Sequence, residues 1–308
     1  MAKVSRLFES DLGSFIPGLA GSSCAFGVFD GLHKGHLSLI QHALEVAALE
    51  DLPSAVLTFD IDPDELFRKD KLHKLCSNGE RIARLAETGV DEVIILPFTR
   101  AFAALEPREF LEQVFQSMPA VLHVGCDFRF GSKARGTVAD LTDWAHALDA
   151  RVCSHSLVKE DGVPITATRI RDLLCAGRIE QANQLLTRPY SFTGMVEPGR
   201  RQGRNMGFRT ANLTVPASLQ SIGEGVYAAY ALVGEERYKA AVSVGVAPTF
   251  EDATATCEVH ILDFDQDLYS QPLTVEFVRW LRPMKKFDST EELIATVMGN
   301  IQWCRENL

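Results

Sequence analysis

Gly27-Val28-Phe29-Asp30-Gly31-Leu32-His33-Lys34-Gly35-His36 is the stretch whose reading decides the fold of the first half of the chain. It continues an apolar run over 23–29. It precedes residues 37–47, where apolar side chains at 37, 40, 44 and 47 keep a helical period. A glycine-rich turn from a buried strand into a helix gathers free backbone N–H groups at the positive end of the helix dipole, which suits an anion. Gly31 and Gly35 allow a sharp turn and a close approach to a ligand. His33 and His36 can donate to phosphate oxygens from the same turn. Such donors stabilise charge that develops on phosphorus during a displacement, with positioning rather than a protein nucleophile as the source of rate. Two histidines three apart are also half a metal site, but no Cys or carboxylate stands at a matching spacing.

Outward from this stretch, strand-like and helix-like segments alternate. Residues 54–59, 92–98, 120–124 and 151–156 read as further strands. Ser77-Asn78-Gly79-Glu80 has the form of a capping box and opens a helix to about residue 87, and residues 107–115 and 138–148 are helical. This order predicts a doubly wound parallel sheet with helices on both faces and ligands outside the carboxyl ends of its strands. Near residue 190 the character changes. Two short helices, 165–175 (stopped by Gly177) and Ile179–Leu186, lead into six strand-like segments over 192–196, 211–215, 226–233, 238–244, 257–262 and 273–278. These predict a six-stranded antiparallel β-barrel. Ser289-Thr290-Glu291-Glu292 then opens a terminal helix to about residue 304. The expected fold class is therefore α/β, with domains over 1–187 and 188–308. At 308 residues the chain is long enough for two cores.

Composition limits the functions available. Apolar residues make up 46% and charged residues 23%, an ordinary globular mixture. A net charge of -10 argues against general nucleic-acid binding, which needs a basic face. Polyanionic ligands would have to be held by local arginines, backbone amides or a metal ion. Seven cysteines without a Cys-x-x-Cys pair argue against a disulfide framework and for a reducing compartment. There is neither a signal-peptide core nor an apolar run near the roughly 20 residues of a membrane helix. The expectation is a cytoplasmic protein acting on small molecules, with neither nucleic acid nor membrane as partner; the sequence carries no signal of oligomeric state.

Three further constellations carry chemistry. Thr166 or Thr168 can cap a helix whose anion-favouring end holds Arg169 and Arg171, and arginine matches phosphate in bidentate fashion. Residues 199–209 hold four arginines and three glycines, a basic loop in an acidic chain that suits a polyphosphate. Thr210 and Asn212, two apart on an extended segment, face the same way with oxygens fit for a hard cation such as Mg²⁺. Glu258 and His260 likewise share one face of 257–262. Taken alone, arginine pairs on helices and carboxylates on strands more often face solvent.

The opening string resembles the His-x-Gly-His signature of the nucleotidylyltransferase superfamily. In its longer form it resembles the bacterial bifunctional riboflavin kinase/FMN adenylyltransferase family. Thr58-Phe59-Asp60-Ile61-Asp62-Pro63 is similar to that family's second-strand loop. Gly125-Cys126-Asp127-Phe128-Arg129-Phe130-Gly131 is similar to its flavin and nucleotide loop, and Ile165-Thr166-Ala167-Thr168-Arg169-Ile170-Arg171 to its triphosphate motif. Residues 199–213 resemble the flavokinase signature, Cys257-Glu258-Val259-His260-Ile261-Leu262-Asp263-Phe264 its general-base strand, and Pro248-Thr249-Phe250, Leu281-Arg282-Pro283 and Lys286-Phe287 also fit. The resemblance implies that the sheet domain adenylylates FMN with ATP, using His33, His36 and Arg169. Gly27, Phe29, Asp30, Gly31, Gly35, Thr168 and Arg171 would contact the nucleotide, and Asp60, Asp127 and Phe128 the flavin. It implies that the barrel phosphorylates riboflavin. There Glu258 would be general base, Thr210 and Asn212 would sit on Mg²⁺, and Gly203, Arg204 and Gly207 on ATP. Three residues depart from the family pattern: Ala167 for serine, Arg209 for proline and Ser243 for asparagine. They keep two alternatives open, an adenylyltransferase with an impaired kinase and a flavin-binding regulator with decayed sites.

Overall fold

The computed structural model describes residues 1–67, 73–198, 208–245 and 256–308. Contacts divide the chain into two compact units, Met1–Leu72 with Ser77–Ala167, and His73–Cys76 with Thr168–Leu308. In the first unit, strands β1 (Lys3–Arg6), β2 (Ser23–Phe26), β3 (Ser54–Phe59), β4 (Glu92–Leu96), β5 (Val121–Gly125) and β6 (Arg151–His155) form one sheet. Its order is β1-β4-β3-β2-β5-β6, with every neighbouring pair parallel. Helices α1 (Lys34–Glu50), α2 (Asp64–Phe67), α3 (Asn78–Ala86), α4 (Arg100–Ala103), α5 (Pro107–Val114) and α6 (Val138–His146) connect them.

The period of two sorts each strand's side chains into two cores. Cys24, Phe26, Ala55, Leu57, Ile94 and Leu96 pack with Phe110, Val114 and Leu141. Ala25, Val56, Val93 and Ile95 pack with Ile40, Ala43, Ile82 and Leu85. The sheet is thus covered on both faces, as the alternation predicts. The chain steps outward from β2 through β3 to β4 and then returns to β5 on the other side of β2. That reversal makes the β2–β5 gap the switch point, where such sheets bind ligands. The Ser77 hydroxyl accepts from the Glu80 N–H and caps α3, as its sequence form predicts. β2 ends at Phe26, earlier than the apolar run, because Phe29 takes a left-handed φ of 61° and leaves the extended conformation.

Inside the β2–β5–β6 half of the sheet, His123 is 1% exposed. The Ser23 hydroxyl donates to Ala43 O at 2.8 Å, so its oxygen is left to accept from His123 Nε2 at 3.2 Å. His123 Nδ1 faces His155 Nε2 at 3.0 Å. Burial, then the neighbouring His155, His42 and Arg151, push His123 down to about 4. Between its unfolded value of 6.5 and about 4, the unfolded chain takes up a proton that folded His123 refuses. The stabilisation is complete above 6.5 and is lost as pH falls through that window. The urea midpoint of the first unit should therefore drop with acidification, and His123→Gln should flatten the dependence. Equal slopes for the two proteins would remove His123 from the acid response.

The second unit comprises α7 (Ala167–Cys175) from Thr168 onward, α8 (Ile179–Leu186), β9 (Tyr190–Glu197), β10 (Ala211–Thr214), β11 (Gly225–Val233), β12 (Glu236–Gly245), β13 (Thr256–Ile261), β14 (Pro272–Arg282) and α9 (Thr290–Asn307). Its strands close into a barrel in the order β10-β13-β12-β11-β14-β9, with all neighbours antiparallel. Ser289 caps α9 by accepting from the Glu292 N–H. The register pair Ala228 and Ala241 lies with Ile301 and Cys304 of α9, where small side chains let the helix come close.

The two helices that precede the barrel pack with it. Gly223 N–H donates to Leu174 O at 2.8 Å, Asn183 Nδ2 to Phe277 O at 2.8 Å, and Tyr190 N–H to Asn183 Oδ1 at 2.7 Å. The contact division accordingly falls after Ala167, whereas composition places the change of character after 187. An α8 integral to the barrel has a measurable consequence. Asn183→Ala leaves a buried carbonyl and a buried N–H without this partner, at a cost of about 1–3 kcal/mol. Denaturant unfolding should report that loss, and an unchanged midpoint would make α8 an ornament on the barrel.

Candidate functional sites

The first site is built on the carboxyl ends of β3, β2 and β5. After β2 the chain turns through three left-handed residues, Phe29 at 61°, Gly31 at 72° and Leu32 at 47°. Non-glycine residues in this region cost of order 1–3 kcal/mol and persist only where the surroundings hold them. Phe29, 1% exposed, is held by burial. Gly31 serves the turn, as expected. Gly35 does not have a positive φ; a Cβ there would come within 3.2 Å of the His33 ring, so this glycine serves a close approach. A Cβ on Gly27 would likewise meet the Phe29 ring at 3.2 Å.

His33 is the N-cap of α1, 5% exposed, and its Nδ1 accepts from the His36 N–H at 3.4 Å. In the neutral ring that arrangement puts the proton on Nε2. The His36 ring stacks on His33 at 3.6 Å between centroids, and Phe29 meets it edge-on at 5.4 Å. Burial first, then the nearby His33 and Arg81, hold His36 well below the usual histidine range, so it is uncharged at neutral pH. Its Nδ1 is shut from solvent without a hydrogen-bond partner among the described residues. Such an orphan is costly in a finished interior and is characteristic of a site awaiting a ligand. Asp30 is also buried, at 5% exposure. Lys34 pairs with Glu160 at 3.0 Å; Glu160 lies on a two-strand hairpin formed by β7 (Lys159–Glu160) and β8 (Val163–Pro164).

The neighbouring strand ends supply the rest of this rim. Asp60, following β3, accepts from the Ile61 and Phe98 N–H groups at 2.9 and 2.8 Å, and so fastens the loops after β3 and β4. Asp127, following β5, is exposed, whereas Phe128 anchors the same loop against Phe26 at 5.0 Å. The loop after β2, Asp60, Asp127 and Phe128 thus share one end of the sheet. Thr168, Arg169 and Arg171 lie in the first turns of α7, in the second unit, and Arg171 Nε donates to His73 O at 2.7 Å. Thr166 immediately precedes the helix and Thr168 is inside it.

The second site forms on the outer face of the barrel. Cys257 and Val259 are buried, which turns Glu258 and His260 outward together. In register, Glu258 stands directly across from Asn212 of β10 on one side and from Ser243 of β12 on the other. Opposed residues of this kind have Cβ atoms roughly 4.5–5.5 Å apart. The juxtaposition of Asn212 with Glu258 joins two motifs far apart in sequence, and Ser243, one of the departures, is inside the constellation. Burial, then the charge of Glu258, pushes the Cys257 thiol up to about 12. His260 Nδ1 meets Arg209 O at 2.7 Å, and Arg209 Nη1 donates to Asp265 O at 3.1 Å. The residue that replaces proline before Thr210 is therefore fastened at both its carbonyl and its side chain. Gly203, Arg204, Gly207 and Pro248-Thr249-Phe250 lie outside the described residues.

Sequence reasoning missed a cavity of about 260 Å³ beside Thr210, lined by Val196, Ala211, Val259, Ile261, Phe264 and Tyr269 among others. Val259 and Ile261 belong to the opposite face of β13 from Glu258, so the cavity and the carboxylate flank the strand. Among the described residues no group of three or more His, Cys, Asp or Glu could hold a metal ion, and no helix is long and apolar enough to cross a membrane.

Comparison with known proteins follows the same division. A family model described as FAD synthetase matches residues 17–169, and one described as riboflavin kinase matches residues 186–308. A bifunctional riboflavin kinase/FMN adenylyltransferase of Listeria monocytogenes is 34% identical over 277 residues, 88% of this chain and 87% of the relative. The Escherichia coli K12 protein of that name is 33% identical over 290 residues, 93% and 92% of the two chains. A solved structure from Streptococcus pneumoniae, named a macrolide-efflux protein, aligns over 99% of both chains with a TM-score of 0.85 and 30% identity.

Proposed function

The chain belongs to the bifunctional riboflavin kinase/FMN adenylyltransferase family, whose two activities make FAD from riboflavin and ATP, and we propose that each activity uses one of the two sites just described. The observation that carries the kinase assignment is the register pairing of Glu258 with Asn212. Glu258 takes the proton from the ribityl 5′-hydroxyl as that oxygen attacks the γ-phosphorus of ATP and the bond to the departing ADP breaks. Thr210 and Asn212 offer oxygen ligands only, a donor set that fits Mg²⁺; when bound there, the ion would neutralise charge on the transferred phosphoryl group. The cavity beside Thr210, where Arg209, Asp265, Gln266 and Asp267 stand among apolar side chains, is assigned to ATP, with Gly203, Arg204 and Gly207 on the phosphates.

In the sheet domain, the FMN phosphate attacks the α-phosphorus of a second ATP and displaces pyrophosphate. The uncharged His36 and the Nε2 proton of His33 supply hydrogen bonds to phosphate oxygens, and Arg169 supplies charge. Gly27, Phe29, Asp30, Gly31, Gly35, Thr168 and Arg171 contribute to nucleotide binding, and Asp60, Asp127 and Phe128 to flavin binding. Seven free cysteines support a reducing cytoplasm as its location. The test is to incubate pure protein with riboflavin and Mg-ATP and to separate the flavins by chromatography. FMN followed by FAD is expected. FAD made only from supplied FMN would select the impaired-kinase alternative, and bound flavin without turnover the regulator.

A further inference from the structure

Arg81, on α3, falls outside every motif, yet it is 2% exposed and lies beneath the first site. Its Nη1 donates to Val28 O at 2.9 Å and to Thr58 Oγ1 at 2.7 Å; its Nη2 donates to Phe59 O at 2.7 Å and to Asp60 O at 3.4 Å. Thr58 Oγ1 in turn reaches the same Val28 carbonyl at 3.4 Å. Val28 precedes Phe29, the strained residue whose ring meets His36 edge-on. One guanidinium therefore joins the end of β3, the loop after it and the loop that carries both histidines. Burying a charge is costly unless it is well hydrogen-bonded, and a leucine in this helix position would fill the core without that cost.

We propose that Arg81 is a positioning residue for adenylyl transfer: its guanidinium locks the loop bearing His33 and His36 onto the carboxyl end of β3 and sets a permanent positive charge beneath it. This rests on the adenylyl-transfer reading of the site. The charge has two consequences. It offsets the negative ends of the strand carbonyls where two polyanionic substrates meet, and it disfavours the cationic form of His36. Among the described residues, the titratable groups acting on His36 are His33 on its own turn and Arg81 on α3.

The test compares FAD formation from FMN and ATP in the full-length parent, Arg81→Lys and Arg81→Met proteins, with kcat and KM resolved across the acid side of neutrality. Riboflavin phosphorylation, assigned to the other unit, serves as an internal measure of folding. Arg81→Met should lower kcat for FAD formation by about 10²-fold, the scale of a 1 Å misplacement, with KM for FMN within a few-fold of the parent. Its acid limb should move to higher pH as His36 becomes easier to charge. Arg81→Lys keeps the charge and should recover most of kcat with the parental acid limb. A parental kcat in Arg81→Met overturns the proposal. So does an Arg81→Lys enzyme as slow as Arg81→Met with the acid limb unmoved in both. Should Arg81→Met lose its kinase rate as well, Arg81→Lys decides alone: a parental acid limb and near-parental kcat support the proposal, and a shifted limb overturns it. A parent that makes no FAD refutes the functional reading itself.

Discussion

Glu258→Gln should leave riboflavin and ATP binding near normal while phosphoryl transfer falls by about 10²–10⁴-fold, the usual range for losing an acid–base group. Glutamine keeps the shape of the side chain and its place between Asn212 and Ser243, but it cannot take up the hydroxyl proton. Adenylylation of supplied FMN should stay at the parental rate, since that chemistry is assigned to the first site, to which Glu258 does not belong. A solvated strand carboxylate without a catalytic role predicts no change in either rate. Rapid-mixing measurement of FMN formation, with binding followed by flavin fluorescence, separates these outcomes. Parental phosphorylation by Glu258→Gln would remove this residue from the mechanism, whereas a parent that itself phosphorylates riboflavin slowly or not at all would favour the impaired-kinase alternative. Ser243, facing the same carboxylate where the resemblance leads one to expect asparagine, gives that alternative a physical basis: the proposed base has a hydroxyl rather than an amide on that side.

The fold was legible wherever one period ran uninterrupted. Residues 54–59 and 179–186 were read to the residue as β3 and α8, because each is apolar in a single period and bounded by turn or polar residues. β1 was missed for a physical reason. Lys3-Val4-Ser5-Arg6 is an edge strand, exposed along most of its length, and its pairing with β4 leaves no apolar signature. The hairpin at 159–164 has strands of two residues, too short for any pattern. Within the sites, residues inside one turn could be grouped from sequence, as with His33 and His36. The neighbours of Glu258 could not, because antiparallel register depends on the turns between distant strands. Arg81 was invisible for a related reason. In sequence it is one more cation on an amphipathic helix, and only the packing of α3 against β3 turns it inward to the strand carbonyls.

His36→Ala should suppress FAD formation from FMN by about 10²–10³-fold, the scale of losing one preorganised donor to a developing oxyanion. Riboflavin phosphorylation should remain close to the parental rate. The expectation comes from the geometry of the ring rather than from its charge. His36 is uncharged at neutral pH, stacked on His33 and flanked by Phe29, so its orientation is fixed before any substrate arrives. A preorganised neutral donor does not have to reorient when charge appears on phosphorus, which is where its contribution to rate arises. Removing the ring also removes the stacking partner of His33, so the measured loss includes any reorientation of that second imidazole. The cap itself survives, since His33 Nδ1 accepts from the backbone N–H of residue 36, which alanine retains. α1 should accordingly stay formed, and a melting transition near the parental one is expected. Equal loss of both activities in a folded His36→Ala protein would refute the assignment of two separate sites, and a parental rate of FAD formation would take His36 out of the adenylyl step.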